Sequence, residues 1–230
     1  MTDRLPLYEA LAVVFDRPGP ARAQEIRRTA EVLRPGYPDA AEALDAFLAV
    51  VGGLASDAFA ELHVRTFDIQ PIATLDLGYT LFGEDYKRGA LLAGLVREHR
   101  EQGVDCGGEL PDHLPNVLRL LGRLPDGEVR TELVTVILAP ALENMLREFD
   151  PTRLVKKEEV YRKHHKTLIE YAEHEQRTAY RYALEALRHM LKRDFTIQTR
   201  RLPVAQEGSF ERALDTEMDI ESCGPCGPTA

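Results

Sequence analysis

The chain has 230 residues, a net charge of −9, 44% hydrophobic and 29% charged residues. These are the proportions of a globular chain long enough to bury a full core, and an acidic balance with no long basic block interleaved with aromatics argues against nucleic-acid binding. No apolar run approaches the ~20 residues of a membrane span, the start lacks a long apolar stretch behind a basic head, and three cysteines make no disulfide framework; the expectation is a cytoplasmic protein without stable membrane insertion.

Apolar spacing is helical nearly throughout. Leu7, Leu11, Val14 and Phe15 form a first stripe, ended by the Arg-Pro-Gly-Pro of 17–20. A second helix runs from the mid-twenties to Leu33 and stops at Pro35-Gly36. Ala41, Leu44, Phe47, Leu48 and Val51 make a third, ended by Gly52-Gly53. Ser56 is placed to cap a fourth helix carrying Phe59, Leu62 and Phe67. Residues 68–85 are less regular, broken by Pro71 and Gly78, with Tyr79-Thr-Leu-Phe82 as a short helix or turn. A strong helix returns from Tyr86 to Gln102, with Leu91, Leu92, Leu95 and Val96 facing inward and Gly103 as its C-terminal stop.

Beyond the Cys106-Gly-Gly loop, Pro111-Asp112-His113 reads as a helix start. Pro111 fixes φ, Asp112 suits the positive end of a helix dipole, and Leu114, Val117, Leu118 and Leu121 follow at helical spacing. The next helix covers about Gly127 to Phe149, with Pro140 kinking it or starting a new one. Asp150-Pro151 breaks it. The last helix is the longest, from Lys156 to about Phe195, with Tyr180, Leu184, Leu187 and Leu191 on one stripe. After Thr196 large apolar residues become scarce, so 196–230 reads as a poorly ordered tail. No sustained alternation marks a strand, and no solenoid period appears. The predicted architecture is all-α: one helical bundle over 1–195, of about eight or more helices, with a flexible C-terminal tail.

Three segments carry side chains suited to binding. Asp112 and His113 offer an acid and an imidazole at a helix start, able to bond a peptide backbone or a basic side chain. Glu61-Leu-His-Val-Arg-Thr-Phe67-Asp68 is a helix with Phe67 inward and charges outward. Tyr79, Leu81, Phe82 and Gly83 form an aromatic and apolar cluster broken by glycine, after which Asp85, Lys87 and Arg88 open a helix. Apolar side chains on irregular backbone beside charges suit a peptide groove.

Together these segments resemble the NarJ/TorD-type maturation chaperones of molybdenum redox enzymes (nitrate reductase delta subunit-like). Glu109, Pro111, Asp112 and His113 stand as that family's Glu-x-Pro-Asp-His motif. Tyr79, Leu81, Phe82, Gly83, Glu84, Arg88 and Gly89 match its Tyr-x-Leu-(Tyr/Phe)-Gly-(Asp/Glu)-x-x-x-Arg-Gly signature. Glu61 to Asp68 is similar to its Glu-x-Tyr-x-x-x-Phe-Asp segment, with His63 in place of the usual tyrosine, and Ala139-Pro-Ala-Leu-Glu143 is similar to a later helix. The matches cover the middle third of the chain, Glu61 to Glu143. The resemblance implies a protein without catalytic activity or cofactor of its own, a monomer or dimer. It would bind the N-terminal segment of the catalytic subunit of a molybdenum-dependent reductase, most like nitrate reductase, during molybdenum cofactor insertion and assembly. Phe67, Tyr79, Leu81 and Phe82 would supply apolar surface. Glu61, Asp68, Asp85, Arg88, Pro111, Asp112 and His113 would supply polar and positioning groups.

Two rival readings stand beside it. One is a chaperone for another client of the same superfamily, such as a dimethyl sulfoxide, selenate or chlorate reductase. The other is a helical metal-dependent hydrolase using Asp112 with scattered histidines. Cys223-Gly-Pro-Cys226 has the spacing of a thioredoxin-type redox pair or half a zinc site. The redox pair would need a βαβ context, and the zinc site would need two more ligands, with Cys106 the one further cysteine. His164 and His165 are adjacent on a helix and chelate poorly, and His174 and His189 lie too far apart for one site. No phosphate-binding loop, nucleophile turn or zinc-helix motif occurs.

Overall fold

The structure, a computed structural model, describes residues 6–165 and 174–196, with side chains except at 162–165 and 174–175. Among the described residues the fold is all-α. The helices are α1 (Pro6–Ala12), α2 (Arg22–Leu33), α3 (Pro38–Val51), α4 (Ser56–Phe67), α5 (Leu77–Phe82), α6 (Tyr86–Glu101), α7 (Leu114–Arg123), α8 (Glu128–Glu132), α9 (Ala139–Glu148), α10 (Pro151–His165), α11 (His174–Arg177) and α12 (Tyr180–Asp194), with a π-helical turn over Leu133–Leu138 between α8 and α9. Among the described residues the one extended pairing is an isolated antiparallel bridge between Asp76 and His113.

The bundle is organised around α3, which packs between α2 and α12, while α1 lies on α7, α9 on α12 and α5 on α9. The sequence reasons are plain. Pro38 opens α3 with its φ already set, and Ala41, Leu44, Phe47 and Val51 then fall on one buried face. On α12 the stripe Tyr180, Leu184, Leu187 and Leu191 is wholly buried. Tyr180 meets the rings of Phe47 at 4.9 Å and Phe67 at 4.8 Å, offset geometries that aromatic pairs favour. Polar groups close the bundle: Asp194 at the end of α12 accepts hydrogen bonds from Tyr8 on α1 (3.0 Å) and Tyr37 before α3 (2.6 Å). Burial and the neighbouring carboxylate raise the Tyr8 phenol far above its ordinary pKa, so it remains a hydrogen-bond donor.

Several local readings of the sequence need correction. Ser56 is the first residue of α4 and not its cap; the flanking Ala55 accepts from Phe59 through its carbonyl, and no side chain caps this end. Of the two outcomes expected at Pro140, a new helix is the one found: Pro140 stands in the first turn of α9, directly after the π-helical turn. It has no N–H to give the preceding turn, and the chain widens there: Ala139 donates to Val134, five residues back. α10 begins at Pro151, one turn before the predicted Lys156, with Asp150 accepting from Thr152 at 2.9 Å. The helix predicted through to Phe195 is interrupted by a tight turn at Thr178–Ala179 before α12. On α6, Val96 is 44% exposed and not facing inward as predicted; among the described residues the element on which α6 packs most is the short α5. The readings placed on Cys223, Cys226, the side chains of His164, His165 and His174, and the tail from 197 onward lie outside the described residues.

Candidate functional site

Two of the three segments that the sequence sets apart, Tyr79–Gly89 and Glu109–His113, converge on the N-terminus of α5. The bridge between Asp76 and His113 brings them together: Leu77 N–H donates to the Asp112 carbonyl at 3.0 Å, and Leu114 N–H to the Leu75 carbonyl at 2.9 Å. α5 therefore starts directly against the Pro111-Asp112-His113 strand-like stretch, which precedes α7 and is not yet helical.

Asp112 occupies the centre. It does suit a helix N-terminus, but the helix is α5 and not α7. Its Oδ2 accepts from the Gly78 N–H at 3.0 Å, satisfying one of the free amides in the first turn of α5. α7 instead begins with His113 as its cap residue and Pro115 in its first turn. The approach of Asp112 requires glycine: a Cβ on residue 78 would sit 2.7 Å from Asp112 Oδ2, 3.1 Å from Arg88 Cγ and 3.2 Å from Leu91 Cδ2.

Arg88 lies between two carboxylates. Its Nη2 donates to Asp76 Oδ2 at 3.1 Å, and its Nε lies 3.5 Å from Asp112 Oδ2. The guanidinium also stands over the Tyr79 ring, 5.5 Å from its centre, a cation–π contact. Asp76 uses its other oxygen on His113, whose Nδ1–H donates to Oδ1 at 3.1 Å; that tautomer follows because a carboxylate can only accept.

The two acids are driven in opposite directions. Burial raises the Asp112 pKa, and the charge of Asp76 adds to this; Arg88 and the Gly78 amide oppose it without prevailing. For Asp76, burial also pushes upward, but the hydrogen bond and charge of His113, with those of Arg88, outweigh it and hold the pKa below the usual carboxylate value. Asp76 is thus the firm anion of the pair and Asp112 the strained one.

The predicted site residues divide by exposure. Tyr79, Phe82, Arg88, Pro111 and His113 are partly exposed, and Asp85 is exposed, capping α6 by accepting from Lys87 N–H at 2.9 Å. Asp112 is fully buried, and Phe67 and Leu81 are buried in the core at 4% and 7% exposure. Buried in this way, these three side chains support the fold. Truncating a ring packed like that of Phe67 costs about 3–5 kcal/mol. Glu61 and Asp68 are exposed on α4 and at its end; Glu61 pairs with Arg65 one turn along its own helix. His63, at the position where the resemblance expects tyrosine, is buried; its Nε2 lies 3.0 Å from the Phe15 carbonyl and burial lowers its pKa, so it donates there as a neutral ring.

Sequence reasoning missed Asp76 and Gly78. An aspartate directly before a short helix is an ordinary cap signal, yet the Asp76 side chain caps nothing; its partners lie 12 and 37 residues further along the chain. Among the described residues no group of three or more His, Cys, Asp or Glu side chains could hold a metal ion, and where Asp76 and Asp112 approach each other the cation between them is Arg88. No single helix among the described residues is long and apolar enough to cross a membrane. No family model matches the chain, and no curated protein matches it.

Proposed function

We propose that this protein is a maturation chaperone, acting by binding and not by catalysis, that holds the N-terminal segment of the catalytic subunit of a molybdenum-dependent reductase, most like nitrate reductase, in the cytoplasm during cofactor insertion. The observation that supports this best is convergence. The Tyr79–Gly89 signature and the Glu109–His113 motif, two of the four segments that carry the resemblance, meet at one cluster in which Asp76, Arg88, Asp112 and His113 are mutually engaged. Beside it stand the partly exposed Tyr79 and Phe82. That is the composition of a peptide site: aromatic surface next to charges fixed by their neighbours. The net charge of −9 favours encounter with a basic client segment.

Titration calorimetry with N-terminal peptides of candidate catalytic subunits tests the reading. Saturable one-to-one binding is expected, weakening with salt and lost in a Tyr79→Ala/Phe82→Ala/His113→Ala variant that keeps the wild-type circular dichroism. No saturable binding by a folded wild-type chain to any peptide of this class would refute it. A dimethyl sulfoxide, selenate or chlorate reductase peptide binding in preference would keep the chaperone reading and change the client.

A further inference from the structure

The helix that covers the cluster is weakly anchored for its length. α6 runs for 16 residues but buries only Leu95 and His99. α7, with 10 residues, buries Leu114 through Leu118, Leu120 and Leu121. The one element on which α6 packs substantially, among the described residues, is the six-residue α5. Its outer side leaves Val96 44% and Tyr86 83% exposed.

Both ends of α6 join the fold through glycines at positive φ. Gly83, with φ 60° and ψ −134°, occupies a region that is essentially closed to other residues, and Gly103 has φ 63°. Nothing lies within 4 Å of where a Cβ would stand on either; Gly103 is tied to α7 through its carbonyl, which accepts from Arg123 Nη1 at 2.8 Å. Apart from Leu95 in the core and Leu91 packed against it, the fastenings of α6 are polar. Arg88 pairs with Asp76 and Asp112 at one end, and the His99 ring nitrogen Nε2 lies 3.3 Å from the Asn116 carbonyl of α7 at the other. Beneath the first turns of α6 are Gly78 and Asp112, which Arg88 and Leu91 cover directly.

We propose that α6 is a hinged cover over the N-terminus of α5, turning on Gly83 and Gly103 and latched by Arg88, and that it opens as a unit while the rest of the bundle stays folded. Local opening is governed by the apolar surface an element buries and by its fastenings, and α6 has little of the first and a small polar set of the second. Opening bares Gly78, Asp112 and the α5 surface under Leu91. It would explain how a fully buried Asp112 comes within reach of a peptide, a consequence that rests on the proposed function; the opening itself does not.

Hydrogen exchange read by mass spectrometry on the full chain, with no peptide added, tests the opening separately from client binding. Amides of 86–101 are expected to exchange together, at least about tenfold faster than those of α7 and α12. Arg88→Gln is expected to speed exchange of α6 by a further tenfold or so, as loss of a charge-assisted hydrogen bond implies, with α12 unchanged. If Arg88→Gln does not fold, Asp76→Asn loosens the same latch from the other side and is read in the same way. Exchange of α6 at the rate of α7 and α12, or a latch variant that speeds all three equally, would overturn the proposal.

Discussion

Replacing Gly78 by alanine puts the packing of the cluster to a quantitative test. The added methyl would stand 2.7 Å from Asp112 Oδ2, inside the contact distance of carbon and oxygen. Asp112 has little room to yield, because its carboxylate is fully buried and held by the very Gly78 N–H that the methyl adjoins. Moving it forfeits a charge-assisted hydrogen bond of about 1.5–3 kcal/mol, and crowding against Arg88 and Leu91 adds about 1–3 kcal/mol. The better helix propensity of alanine returns about 1 kcal/mol. A net loss of about 1.5–5 kcal/mol is expected, which for a chain of this size lowers the midpoint of thermal unfolding by roughly 3–20 °C. The control is Gly94→Ala in the middle of α6, where nothing lies within 4 Å of the added methyl; there the propensity gain stands alone and stability rises by up to about 1 kcal/mol. Urea unfolding followed by far-ultraviolet circular dichroism measures both. Equal effects of the two substitutions, or a Gly78→Ala protein as stable as wild type, would show that Asp112 does not seat on α5 as described.

The two aspartates predict pH dependences of opposite sign. Asp76 has a lowered pKa in the folded state, so its contribution is present above its unfolded value near pH ~4 and is lost as pH falls through the folded one. In urea titrations from pH 3 to 7, Asp76→Asn is expected to be less stable than wild type at pH 7, with the gap closing toward pH 3; a constant gap refutes the assignment. Asp112 has a raised pKa, so its ionisation costs stability as pH climbs above ~4. The stability of Asp112→Asn relative to wild type should therefore improve from pH 4 to pH 7. Since an amide oxygen still accepts from Gly78, Asp112→Asn should also retain more stability at pH 7 than Asp112→Ala, which leaves the buried amide unpaired at about 1–3 kcal/mol; equal losses in both would mean that the Gly78 bond contributes nothing.

Where a helix is covered along its whole length, its spacing in the sequence already gave the outcome. The stripes of α3 and α12 are buried residue for residue, because a 3.6-residue repeat of large apolar groups has no other stable destination. The same reasoning misplaces Val96. Leu91, Leu92, Leu95 and Val96 share a sector of α6, but periodicity reports which residues lie together and not whether another element covers them, and only Leu95 of the four is buried. Pro140 shows a different limit. The sequence announces a missing amide, and two remedies were in view, a kink or a fresh start. The chain takes the fresh start, with Pro140 in the first turn of α9; what the missing amide does not announce is the π-helical turn of Leu133–Leu138 that leads into it.

The cluster itself was legible in its chemistry and not in its connections. An acid at a helix start was read from Asp112, and the acid does serve a helix start, but of α5, a helix that begins 35 residues earlier. Such capping from a distance needs the pairing of Asp76 with His113, a single bridge outside any sheet, which no alternation pattern can reveal. Asp76 was invisible for the same reason: its role is defined wholly by Arg88 and His113. The arrangement has a consequence for how its charges should be weighed. A carboxylate as buried as that of Asp112 is tolerated only with its hydrogen bond and counter-ion in place, and removing one partner of such a set costs more than the pair itself is worth. Arg88 supplies the counter-charge to Asp112 and Asp76 together from the first turns of α6, so the stability of the α5 start and the closure of α6 are the same interaction seen from two sides. A change at Arg88 should therefore loosen α6 and expose the Asp112 charge at once, whereas a change at His113 should release Asp76 alone.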